Sequence, residues 1–149
     1  MTRIAIFEPS PELYDEIERL GALHKDEVEA DVTALPVAIN RDLYDVLHAQ
    51  GALVCVGAFT DDGRLVGYAI ALLSPNFHYR MTTAAHDVLF LHRDYRKPRM
   101  ALRLIDAAEA ECKARGAQLM VWHAPIGGAF ERILKTRANP IYTHFFKEL

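Results

Sequence analysis

The stretch "LFLHRDYRKPRMALRLIDAAEAE", Leu89 to Glu111, decides the fold, because in it an apolar strand-like run passes through a short basic turn into a helix. After the turn, Leu102, Leu104, Ile105, Ala108 and Cys112 recur at the helical period, leaving Arg103, Asp106, Glu109 and Lys113 for solvent. Arg93, Arg96, Lys97, Arg99 and Arg103 surround the junction in a chain whose net charge is -3. A basic run taken alone reads as a solvated loop. At the start of a helix, however, main-chain N–H groups lack intrahelical partners and lie at the positive end of the helix dipole, so added arginines point to a bound anion.

Working outward, "AQLMVWHA" (117–124) reads as a further strand, and its apolar density predicts a central position covered on both faces. Gly127-Gly128 precedes a helix near 129–137, and Pro140 introduces a final strand from Ile141 to Lys147. On the other side, a strand covers roughly Ala84 to His92. Before it, "ALVCVGAF" and "RLVGYAIALL" are joined by Thr60-Asp61-Asp62-Gly63, which predicts a hairpin. The N-terminal part reads as a strand around Ile4 and Ile6, then a helix capped by Ser10 with Pro11 in its first turn and Leu13, Ile17, Leu20 and Leu23/His24 on its apolar face. A second helix runs from Arg41 to about Gln50, with Leu43, Val46 and Leu47 inward and Gly51 as its stop. The order is β-α-α-β-β-β-α-β-α-β, with no repeat or internal linker, so residues 1–149 form one domain.

Composition narrows the function. The chain of 149 residues is 51% hydrophobic and 25% charged, without an apolar run long enough to span a bilayer, which predicts a soluble protein. The first eight residues lack the apolar core of a secretory signal, and the two cysteines lack metal-ligand spacing, so two buried thiols in a reducing cytoplasm are expected and no metal. A net acidic chain lacks the broad basic footprint of a nucleic-acid binder. Any anion site is therefore local.

The element order and the basic turn together resemble the GNAT family, the Gcn5-related N-acetyltransferases. The resemblance covers nearly the whole chain. In that family a strand ending in a pattern like V-x-P-x-Y-R leads into (Q/R)-x-x-G-x-(G/A), and here Leu91-His92-Arg93-Asp94-Tyr95-Arg96 is followed by Lys97-Pro98-Arg99-Met100-Ala101. Arg96 and Ala101 match the ends of the loop, Arg99 stands where the internal glycine is expected, and Pro98 removes one amide donor. The resemblance implies an α/β fold with a mixed, mostly antiparallel central sheet, helices on both faces and a splayed fourth and fifth strand. It implies acetyl-CoA as co-substrate, held through Leu89, Leu91, Arg96, Lys97, Arg99, Met100 and Ala101, and an acetyl group passed to a primary amine of a small molecule or protein. The altered loop also admits a catalytically silent module that binds an acyl-CoA or a protein partner.

Transfer from a thioester to an amine needs a neutral amine and stabilisation of the tetrahedral oxyanion. The resemblance implies a base on the strand before the loop. Alternation along that strand puts Ala85, Asp87, Leu89 and Leu91 on one face and His86, Val88, Phe90 and His92 on the other. Asp87 is the expected base and His86 the second candidate, the competing reading of Asp87 being a carboxylate held by backbone amides or Arg80. The resemblance implies a tyrosine acid toward the thiolate in the helix after the fifth strand; that helix carries none here, which leaves Tyr142 of the next strand as the candidate, the competing reading being a core or surface aromatic, and His123 is a further titratable group at the fifth strand's end. Asp26, Glu27, Glu29 and Asp31 would suit a cationic acceptor, although a solvated loop explains the same acids, and Phe77, His78 and Tyr79 could wall it or merely pack their loop down. Adjacent Phe145 and Phe146 raise a homodimer as one way to cover them, internal burial being the other.

Overall fold

The computed structural model describes residues 1–97 and 99–149. One sheet of five strands runs in chain order: β1 (Thr2–Ile6), β2 (Leu53–Thr60), β3 (Leu65–Pro75), β4 (Thr82–Leu91) and β5 (Ala117–Val121). The first four are antiparallel neighbours and β5 lies parallel to β4. The hairpin between β2 and β3 forms as expected, with Gly63 N–H bonded to the Thr60 carbonyl at 3.0 Å.

Strand alternation sorts the core into two layers. On one face, Leu53, Cys55, Tyr68, Ile70 and Phe90 pack with Tyr14, Ile17 and Leu20 of α1 (Pro11–His24) and with Tyr44 and Leu47 of α2 (Arg41–Ala49). On the other, Val54, Val56, Ala69, Ala71 and Ala84 receive Leu104, Ala108 and Cys112 of α3 (Met100–Ala114). Both thiols are buried, and desolvation pushes Cys55 up to about 12 and Cys112 to about 11, so neither is a nucleophile at neutral pH. Local chemistry sets the helix ends: Ser10 Oγ accepts from Leu13 N–H at 3.3 Å, Asn40 Oδ1 accepts from Leu43 N–H at 3.1 Å, and Gly116 at φ 95° ends α3.

Three expectations are corrected. The inward face of α2 is Tyr44 and Leu47, whereas Leu43 and Val46 are about half exposed. The hydroxyl of Tyr14 donates a hydrogen bond to Asp45, which fastens this face of the helix to α1. The final strand Ile141–Lys147 does not form: after the short α4 (Ala129–Leu134) the chain crosses the surface without regular structure, and Phe145 and Phe146 are both exposed. Consequently β5 is an edge strand with Leu119 and Val121 partly open to solvent, not a covered central one.

Gly67 sets how closely β3 approaches the end of β4. A Cβ there would lie 2.7 Å from Leu91 Cδ1 and 2.9 Å from the Phe90 carbonyl oxygen. Because one of those neighbours is backbone, Gly67→Ala is expected to destabilise the fold by about 1–3 kcal/mol. A lower urea midpoint at unchanged slope would show it.

Candidate active site

Pairing between β4 and β5 extends only from Thr82↔Ala117 to Ala85↔Val121. Beyond it β4 continues six residues to Leu91 while β5 stops, so the two parallel strands part and leave a wedge open from His86 onward. A β-bulge stands at that point, because Ile70 pairs with Val88 but Ala71 with His86, leaving Asp87 as the extra residue. The bulge breaks the simple alternation. Ala84 and Leu89, five apart, share the α3 face, while Val88 and Phe90 face α1 and α2. Asp87 therefore does not share a face with Leu89 and Leu91. Its charged and polar neighbours are His123, just beyond β5, and Glu29, His24, Tyr44 and Tyr68 of the α1–α2 layer.

Part of the Asp87 side chain reaches solvent, yet no hydrogen bond or ion pair among the described residues ends on its carboxylate. Neither backbone amides nor Arg80 hold it. Desolvation raises its pKa, with Glu29 adding to the rise and the charges of His123 and His24 opposing it. Glu29 itself lies 3.8 Å from His24 Nε2, at the end of a π-helical turn (Lys25–Glu29) that continues α1. His24 is buried, stacked on Phe90 at 5.1 Å and 3.3 Å from the Tyr68 hydroxyl, and burial lowers its pKa.

His86 points the other way. It is 6% exposed, boxed by Trp122 at 5.0 Å, His123 at 4.2 Å and Phe130 at 5.8 Å between ring centroids. Both of its ring nitrogens are buried without a partner, and desolvation drops its pKa to about 3. Since the unfolded chain binds this proton and the folded one does not, stability falls as pH drops from about 6.5 toward 3, by up to about 1.4 kcal/mol per pH unit. His86→Phe removes an orphaned donor and an orphaned acceptor at similar shape and is expected to be neutral or stabilising at pH 7 and to flatten that acid limb in a pH series of thermal melts.

The basic turn carries a different set of contacts. Arg96 Nε donates to the Leu91 carbonyl at 2.7 Å, Nη2 donates to Glu27 at 2.8 Å, and the guanidinium lies 5.6 Å from the Phe90 centroid, so this side chain clamps the π-helical turn onto β4. Lys97 N–H is bonded to the Tyr95 carbonyl at 2.8 Å and Met100 N–H to the Lys97 carbonyl at 3.0 Å. Two of the expected free amides are thus occupied, while Arg99 and Ala101 N–H end on no acceptor among the described residues. The reading of Pro98 as a missing donor lies outside the described residues. Met100 is buried against Ala58, Val66 and Leu91, and its thioether faces the core. Arg99 precedes α3 at φ 79°, the only non-glycine residue at positive φ among those described, so the backbone keeps the glycine-type conformation at a strain of about 1–2 kcal/mol.

The first turn of α3 has no acidic residue and no side-chain cap. Lys97, Arg99 and Arg103 are exposed there without an ion-pair partner among the described residues. Cations beside the positive end of a helix raise each other's energy until an anion arrives. The remaining candidates lie apart. Tyr142 is 88% exposed in the C-terminal segment, and Phe77 and Tyr79 project from the β3–β4 turn around an open concavity of about 630 Å³, at the closed end of the wedge's strand pair. His123, the further candidate at the end of the fifth strand, stands at the wedge beside both His86 and Asp87.

Residues 17–127 match the family model described as the acetyltransferase (GNAT) family. No curated protein matches the sequence. Among solved structures, the ribosomal-protein-alanine N-acetyltransferase of Brucella melitensis is 20% identical, with a TM-score of 0.72 over 100% of this chain and 99% of that one. A putative acetyl transferase of Pyrococcus furiosus is 17% identical at 0.72, covering 100% and 99%. The glucosamine-6-phosphate N-acetyltransferase of Arabidopsis thaliana is 12% identical at 0.71, covering 99% and 98%. At these identities the structural likeness is one of fold.

Proposed function

The chain belongs to the GNAT acetyltransferase family, and from that premise we propose that it transfers the acetyl group of acetyl-CoA to a primary amine by direct attack within the β4–β5 wedge. The observation that carries this reading is the pairing of an anion-seeking helix start with an unpartnered carboxylate at the wedge. Lys97, Arg99 and Arg103 would meet the diphosphate by charge-assisted bonds, with the Arg99 and Ala101 amides beside them. Arg96 would contribute by holding the loop, not by touching phosphate, because Glu27 and Leu91 already occupy it. The main chain at Leu89 and Leu91, whose side chains pack into the α3 layer, would line the arm of the co-substrate at the end of β4 that β5 leaves unpaired.

Geometry favours Asp87 over His86 as the base. A carboxylate with a raised pKa can take the proton of an incoming ammonium, directly or through a water, whereas an imidazole near 3 sealed among aromatic rings is a weak and inaccessible one. The amine lone pair then adds to the thioester carbon, collapse of the tetrahedral intermediate breaks the C–S bond, and the proton still held by the nitrogen passes to the departing thiolate, leaving a neutral amide and a thiol. A thiolate with a pKa of about 8.5 leaves readily, so an acid is less needed here than for an amine or alkoxide leaving group, which fits the exposed position of Tyr142.

A second reading has its own support. The occupied amides of Lys97 and Met100 would suit a module that has kept the fold without turnover. Calorimetry with CoA, followed by thiol release from acetyl-CoA across a panel of amines, tests both. Micromolar affinity with release supports the transferase, affinity without release supports the silent binder, and no heat with CoA removes the transferase.

A further inference from the structure

We propose that residues 138–149 form the acceptor-side wall of the wedge, with His144 as the residue on that wall that receives the incoming amine. The inference rests on the acetyl-transfer reading above. The segment leaves α4 at Arg137, which is tied to Asp106 and Glu109 of α3 on one face of the sheet. Its His144 ring then lies 5.7 Å from the ring of His123, where β5 ends and the wedge opens. Near its end, Glu148 Oε1 accepts a hydrogen bond of 3.0 Å from Thr33 Oγ1, in the loop joining α1 to α2 on the opposite face. The chain therefore passes from the α3 layer to the α1–α2 layer by way of His123, at the open end of the β4–β5 pair.

Its residues from 139 onward are all exposed, so little buried area holds the segment down beyond these three fastenings. A wall held so lightly can shift to admit an acceptor. The chemistry it presents suits an amine: the imidazole of His144 can accept a hydrogen bond from the substrate nitrogen. Its contact is His123, two residues beyond the end of β5, and around His123 stand Asp87 and His86 from β4 and Glu29 from the π-helical turn. Burial and the neighbouring His144 both lower the pKa of His123, so the contact leaves a mark that can be read without any turnover.

The test compares the intact chain with His144→Ala and with a truncation after Ala138. Proton NMR titration of His123 should move upward, toward the ordinary histidine value, in both variants. Steady-state kinetics with a small primary amine should show the acceptor KM rising about 5- to 10-fold in His144→Ala, the loss of one hydrogen bond, with the acetyl-CoA KM unchanged. An unmoved His123 titration overturns the proposal, as does an equal rise in both KM values. If His123 moves and CoA binds but no amine is acetylated, the transfer reading has failed and takes the acceptor role with it, while the contact itself stands.

Discussion

Asp87→Asn is expected to lower kcat/KM for acetyl transfer by about 10²- to 10⁴-fold, the range for loss of a positioned general base. The asparagine keeps the shape and the bulge position but cannot take a proton. Two further readouts separate chemistry from folding. The carboxyl pKa is raised in the folded state, so the folded chain binds the proton more tightly than the unfolded one, and the ionised carboxylate costs stability above that pKa. Removing it should leave the melting temperature unchanged or slightly higher. The acid limb of the pH–rate profile, along which activity falls as Asp87 takes up a proton, should vanish in the variant, and CoA affinity by calorimetry should be unaltered. A variant that retains activity within about threefold would dismiss Asp87 as the base.

Much of the scaffold that places Asp87 was legible in the chain. The β2–β3 hairpin, the capping of α1 by Ser10 and the strand–turn–helix from Leu89 depend on local pattern, and local pattern is what a sequence displays. The bulge was not legible, since Ala84 to Leu91 alternates as well without an inserted residue as with one; only pairing with Ile70 and Ala71 reveals it. The apolar density of β5 correctly marked a strand and wrongly placed it at the centre, because an edge is defined by a missing neighbour, and the Ile141–Lys147 segment that would have supplied one lies elsewhere. Arg96 shows the same limit for charge. Sequence reads a cation, but its partner Glu27 is 69 residues away, and that pairing converts an expected phosphate ligand into a clamp. His86 and His123 were separable only in three dimensions, one sealed in an aromatic box and the other at the wedge.

Arg99→Gly should weaken CoA binding by about 10- to 100-fold, the loss of one charge-assisted hydrogen bond. The substitution isolates the guanidinium in a way that alanine would not. At φ 79° an alanine would keep the strain, whereas glycine adopts that conformation freely, so the backbone and its amide direction are preserved. Strain at φ 79° belongs to the folded chain whether or not an anion is bound, so its relief stabilises the fold and leaves the change in affinity to the lost cation. If main-chain N–H groups at Arg99 and Ala101 carried the diphosphate alone, the affinity would hold. Lys97 and Met100 amides are internally bonded, which leaves fewer donors than an amide-only cradle requires, so the side chain must supply the difference. The weakening should shrink as salt rises from 50 to 500 mM, because an exposed guanidinium is screened while a backbone donor is not. Tighter binding by Arg99→Gly at low salt would show that arginine at this position is an impediment that the loop tolerates and not a replacement for the glycine.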